Sequence, residues 1–160
     1  MECLFKTSTT HTFEEYKKFV LTLEKKRMTV LFVYMIVFLF LSAVLFWFTR
    51  SLTSMVCMIL FLLYMPLVVL LQNRSIKKTF YSNKSIQNRQ NDIEFYEDHI
   101  ITKSGNNISE VQYNDLYRII QTKTNVYLMT AKNGGILLVK ANFPDGLEEF
   151  LQRLELRINK

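Results

Sequence analysis

Between Met28 and Leu71 the chain runs for 44 residues in which Arg50 is the only side chain charged at neutral pH. A run of that kind has one stable environment, the hydrocarbon core of a bilayer, which takes about 20 apolar residues per helical crossing. Met28 to Phe48 supplies 21 residues and Leu52 to Leu71 supplies 20, so two crossings are predicted, at 28-48 and 52-71. A soluble protein would have to surround two wholly apolar helices, and 160 residues are too few to do so. The first run is also too long for a signal peptide and lacks a small-residue exit, so it is expected to remain in the protein.

Only Thr49, Arg50 and Ser51 separate the two spans, which makes them a tight hairpin with almost nothing on the far side. Lys17, Lys18, Lys25, Lys26 and Arg27 precede the first span, and Arg74, Lys77, Lys78, Lys84 and Arg89 follow the second. The excess of basic residues predicts that both termini are cytoplasmic, in a multi-pass protein of the bacterial inner membrane. Trp47, at the outer end of span one, fits that direction. Tyr34 and Tyr64 fall at similar depth, so either they touch across the hairpin or each simply fills apolar space. Pro66 predicts a bend or loosening in span two. Neither span holds an ionisable residue of the kind that marks ion or proton pathways, so the hairpin reads as an anchor.

The net charge of +6 hides a division within the chain. Residues 1-91 hold twelve Lys/Arg against four Asp/Glu, net +8, while residues 92-160 hold eight against ten, net −2. The positive charge therefore belongs to the membrane-proximal part, which argues for anionic headgroups and against nucleic acid. Lys25, Lys26, Arg27, Arg74, Lys77, Lys78 and Lys84 are the candidate lipid-headgroup contacts, each worth about 1 kcal/mol near a charged surface. Ile76, Phe80 and Tyr81 are interleaved as interfacial anchors in the basic connector.

The division predicted is a cytoplasmic segment 1-27, the hairpin 28-71, a basic connector 72-91 and a cytoplasmic domain 92-160. Thr12 and Glu15 form a capping-box pattern, and Phe13, Tyr16, Val20 and Leu23 follow at helical spacing, so a helix from about Phe13 runs into the membrane. Cys3 to Thr7 reads as a short strand. Beyond residue 92, six runs favour strands: Ile93–Tyr96, Ile100–Lys103, Glu110–Tyr113, Leu116–Thr122, Val126–Thr130 and Ile136–Lys140. Turn chemistry at Ser104-Gly105-Asn106-Asn107 and Asn133-Gly134-Gly135 joins them as an antiparallel meander. Ile136–Val139, apolar on both faces, reads as a central or doubly covered strand. Asp145 and Glu148 suggest a second capping box, opening a helix whose stripe of Leu147, Phe150, Leu151, Leu154 and Ile158 is expected to pack on the sheet.

No constellation announces a reaction. Cys3 and Cys57 supply neither a disulfide framework nor a metal cluster, and His11 and His99 lack sequence neighbours of ligand or nucleophile type. Asp98-His99 falls in a predicted turn, and Glu94, Glu97 and Asp98 read as a solvated strand end. Phosphate-loop, nucleophile-elbow and metalloprotease motifs are missing, so no enzyme, cofactor or metal site is expected.

The order of these elements resembles the YcxB-like family of small bacterial membrane proteins: a capped helix, a tight hairpin, a basic connector, then Ile93-Glu94-Phe95-Tyr96-Glu97-Asp98-His99-Ile100. Tyr113-Asn114-Asp115-Leu116 leading into Ile119-Ile120, Val126-Tyr127-Leu128, and Asn142-Phe143 before the closing helix add to the resemblance. It implies an α+β membrane protein, a two-helix transmembrane hairpin plus a small antiparallel sheet closed by a C-terminal helix, pleckstrin-homology-like in architecture. It carries no catalytic residue across. The expected role is non-enzymatic presentation of the domain to an unidentified protein partner or membrane complex, with Val126–Thr130 and Ile93–Tyr96 as candidate edge strands. The alternative is a small immunity or stress-protection protein acting against a membrane-active peptide.

Overall fold

A computed structural model describes residues 2-84 and 87-158. The chain divides into two compact units, one made from residues up to Phe19 together with those from 87 onward, the other from Val20–Lys84.

The second unit is the hairpin. Helix α1 spans Phe13–Thr49 and α2 spans Leu52–Ser82, with windows of mean hydropathy 2.7 and 2.6. At about 1.5 Å per residue both exceed a bilayer core, so each apolar span continues into a charged helical extension. The connection turns at Arg50, whose φ of 48° lies in the left-handed region, and Ser51 caps α2 by accepting from the Thr53 amide at 3.3 Å. The helix runs continuously through Pro66. The ring contact across the hairpin is made by Phe38 and Phe61, stacked with centroids 5.5 Å apart, while Tyr34 and Tyr64 remain exposed. Gln72 Nε2 donates to Glu24 Oε2 at 2.5 Å, tying the two helical extensions together.

The first unit contains two antiparallel sheets. Sheet one has the order β1 (Phe5–Thr10), β2 (Gln90–Phe95), β3 (His99–Ser104), β4 (Asn107–Gln112); sheet two has the order β5 (Arg118–Gln121), β6 (Asn125–Ala131), β7 (Gly134–Val139). The single meander expected from the sequence is thus broken after β4. A turn of 3-10 helix at Tyr113–Asp115 breaks it, held where the Tyr113 amide donates to Asp98 O at 3.1 Å and its hydroxyl to Tyr96 O at 2.7 Å.

The N-terminal strand is longer than the sequence suggests, and every residue of it pairs with β2, from Phe5 opposite Phe95 to Thr10 opposite Gln90. Its partner in the ladder lies some 80 residues away because the whole hairpin is inserted between them. Alternation then sorts the side chains. Ile93, Phe95 and Ile100 of sheet one meet Ile119, Val126, Leu128 and Leu138 of sheet two in one core, closed by Leu147, Leu151 and Leu154 of α3 (Leu147–Ile158). The stripe expected on this helix packs as predicted. Its start differs: α3 begins at Leu147 after Gly146 at φ +85°, and the Glu148 carboxylate takes Lys140 Nζ at 2.6 Å.

The opposite face of sheet two is also covered. Asn125, Tyr127 and Leu137 are buried there, and the first turns of α1 lie over them, with Phe19 against the Tyr127 ring at 5.2 Å and Glu15 accepting from Asn125 Nδ2. Thr12 Oγ1 accepts from the Glu15 amide at 3.3 Å, so the predicted cap forms, but the Glu15 side chain turns to Asn125 and Lys18. The apolar character of Ile136–Val139 thus reflects cover on both faces, although β7 stands at the end of its sheet rather than in the middle.

Candidate functional site

Of the candidate headgroup contacts, Lys25, Lys26 and Arg27 lie on α1, Arg74, Lys77 and Lys78 lie on α2, and Lys84 follows α2. All seven are exposed, and among the described residues none is in an ion pair. The basic connector is therefore mainly a continuation of the second apolar helix. Two of its three expected interfacial anchors are displaced from that role: Ile76 and Phe80 are buried in the protein, leaving Tyr81 exposed.

Both strands expected to offer a sheet edge are interior. β2 is paired to β1 and β3, and β6 to β5 and β7, so their backbone groups are already used. The end strands of sheet one are instead β1 and β4, and β4 pairs on one side only. Five of its six residues are exposed, and Ile108 is 71% exposed. An unpaired row of amides and carbonyls there is a template for another extended chain.

A second feature lies inside the domain, at the end of the sheets away from the β2–β3 turn. Here β1 has ended and β2 begins, and the two chain segments are held by His11 N donating to Arg89 O and Asn88 N donating to His11 O, each at 3.0 Å. Asn88 reaches this geometry with φ 49°, a conformation Asn tolerates well. The side chains enclose a cleft of about 340 Å³ lined by His11, Arg89, Asn91, Thr102, Ser104 and Ser109 from one side and by Thr130, Gly135 and Ile136 from the other.

The polar groups of this cleft form a directed chain. Ser104 Oγ donates to Asn91 Oδ1, and Asn91 Nδ2 lies 2.8 Å from His11 Nε2, which therefore accepts and leaves the ring proton on Nδ1. Burial, and next the charge of Arg89, push the His11 pKa down and favour that neutral ring. Arg89 Nη2 donates to Ser104 O, yet no carboxylate lines the cleft and Arg89 has no ion pair among the described residues. Thr102 Oγ1, on the same wall, is buried without a partner. None of these residues was singled out as a site in the sequence. Alternation along β2 and β3 places Asn91, Thr102 and Ser104 on the core face, but only the register makes them neighbours.

The outer face of the same sheet carries a different arrangement. Glu94, almost fully buried, accepts from Lys103 Nζ at 2.7 Å and pairs with Lys6 Nζ at 3.2 Å, and the Lys103 hydrogen bond is the main reason its carboxyl is held below the usual range. Glu94 is thus an ion-pair centre across three strands rather than a solvated strand end. Asp98 and His99 do meet, with Oδ1 and Nδ1 2.6 Å apart and the His99 ring stacked on Tyr96. That hydrogen bond lowers the Asp98 pKa. Among the described residues no group of three or more His, Cys, Asp and Glu side chains is placed to hold a metal.

Residues 95–154 match the model of the YcxB-like protein family. The match covers the strands from the end of β2 and most of α3, and it agrees with the family that the order of elements resembles. No curated protein and no solved structure matches the chain.

Proposed function

We propose that this chain is a non-enzymatic membrane anchor that presents a pleckstrin-homology-like domain to a protein partner along the open edge of β4. The family match and the two apolar helices make it a membrane-associated protein. The observation that carries the finer reading is the one-sided pairing of β4 together with its exposed, β-favouring Asn107–Gln112 sequence. Backbone pairing supplies affinity in such a contact, and alternate side chains such as Ile108 and Glu110 supply selectivity. Both termini are assigned to the cytoplasm of a bacterial cell and the hairpin to its inner membrane, on the strength of the flanking Lys and Arg. The basic helical extensions then sit among anionic headgroups and hold the anchor at the surface.

The test is co-purification in mild detergent from cells that express the protein natively. A partner recovered with the native chain is expected to be lost from the Ile108→Lys, Glu110→Pro double variant while membrane insertion is unchanged. Retention of the partner by that variant, or repeated recovery of no specific partner, overturns the reading.

A further inference from the structure

We propose that the cleft between His11 and Arg89 binds a singly charged phosphate ester, with Arg89 and the Thr102 hydroxyl as its anchors. Three observations converge on an anion. Among the described residues the cleft contains one permanent cation and no carboxylate, so the guanidinium of Arg89 is half-buried without a counter-charge. Thr102 Oγ1 is buried in the same wall with its hydrogen-bonding capacity unused. The Ser104–Asn91–His11 chain fixes His11 Nε2 as an acceptor, which leaves Nδ1–H as a donor on a residue of the same lining.

The charge of the ligand follows from the same inventory. Arg89 offers one unit of positive charge, and the only other ionisable lining group among the described residues, His11, accepts at Nε2 and so is neutral, a state that burial and Arg89 favour. A polyphosphorylated group would bring charges with nothing to balance them. A phosphodiester, or inorganic phosphate in its singly charged form H2PO4⁻, matches one guanidinium in charge, and its oxygens suit the planar fork of Arg. The volume of about 340 Å³ falls in the range of small-molecule sites. Two sources offer this chemistry, the phosphodiester of an anionic phospholipid and a soluble phosphate ester.

The experiment follows the imidazole resonances of the full chain, which has two histidines, so His99 serves as an internal control. In phosphate-free maltoside micelles, glycerophosphoglycerol and then inorganic phosphate at pH 6 are titrated. Glycerophosphoglycerol is expected to shift the His11 signal saturably and to leave His99 in place. Arg89→Gln weakens that binding about tenfold or more, and Thr102→Val, which removes only an unpartnered hydroxyl and keeps the shape, weakens it about fivefold without lowering the Tm. If Arg89→Gln disturbs the fold, as a moved His99 signal would show, Thr102→Val decides the matter alone. Nanodiscs of phosphatidylglycerol and of phosphatidylcholine, without added ligand, separate the sources. A His11 shift in the anionic discs identifies the lipid, and a shift only on adding the soluble ester identifies the soluble ligand. No saturable shift under any condition, or unchanged affinity in Thr102→Val, overturns the proposal.

Discussion

Glu94 and Gly135 show how much a single position is decided by its neighbours. Glu94 stands in a charged stretch of sequence, yet the sheet buries it between Lys103 and Lys6. A carboxyl whose folded-state pKa lies below its unfolded value contributes stability above the unfolded pKa, and that contribution is lost as the pH falls through the folded one. Unfolding followed by tryptophan-independent far-UV circular dichroism is therefore expected to show declining stability as the pH drops below about 4.3, the ordinary glutamate value. Glu94→Gln should flatten that part of the profile, and an unchanged slope would remove Glu94 as its cause. Gly135 sits beside a bulge between Met129 and Ala131, where an added Cβ would come within 2.4 Å of Leu128 O. Gly135→Ala is expected to lower domain stability by about 1–3 kcal/mol, read as a fall in Tm, because the obstacle is backbone and cannot swing away. Gly134, with open space around it, should accept Ala with a much smaller effect.

At the scale of elements, the local signals gave the strands and helices, and pairing gave their roles. Val126–Thr130 and Ile93–Tyr96 were legible as strands because β-branched and aromatic residues cluster there. Nothing in either run says whether its flanks are occupied, and both proved interior. β1 is the decisive case. Its local apolar content, Leu4 and Phe5, is slight, yet it completes sheet one, and Phe5 packs its ring 5.5 Å from that of Phe150 on α3. Thr7 Oγ1 also donates to Asn142 O at 2.8 Å, linking β1 to the segment after β7. Deleting residues 2–10 is therefore expected to expose β2 and leave the domain without cooperative thermal unfolding, although the hairpin still inserts. Calorimetry of the truncated protein in detergent checks this, and a preserved transition would show that β1 is dispensable.

For the whole molecule, the proposed topology makes a direct prediction. In a chain with Cys3 and Cys57 replaced by Ser, Ser51→Cys should react with a membrane-impermeant maleimide added outside intact cells. Cys3 restored alone should react only after permeabilisation, and the reverse pattern would invert the orientation. The apolar run from Met28 to Leu71 by itself determined two long apolar helices and with them membrane association, because length and the scarcity of charge are properties of the chain and need no partner to be read. The strand runs and the C-terminal stripe likewise followed from local periodicity. Tertiary structure alone decided the register by which the residues before the hairpin pair with those after it, that β4 ends its sheet, and that Arg89, Asn91, Thr102 and His11 share one cleft. Those facts depend on register between segments some 80 residues apart, and register is set by which side chains fill a common core, a quantity no local stretch of sequence contains.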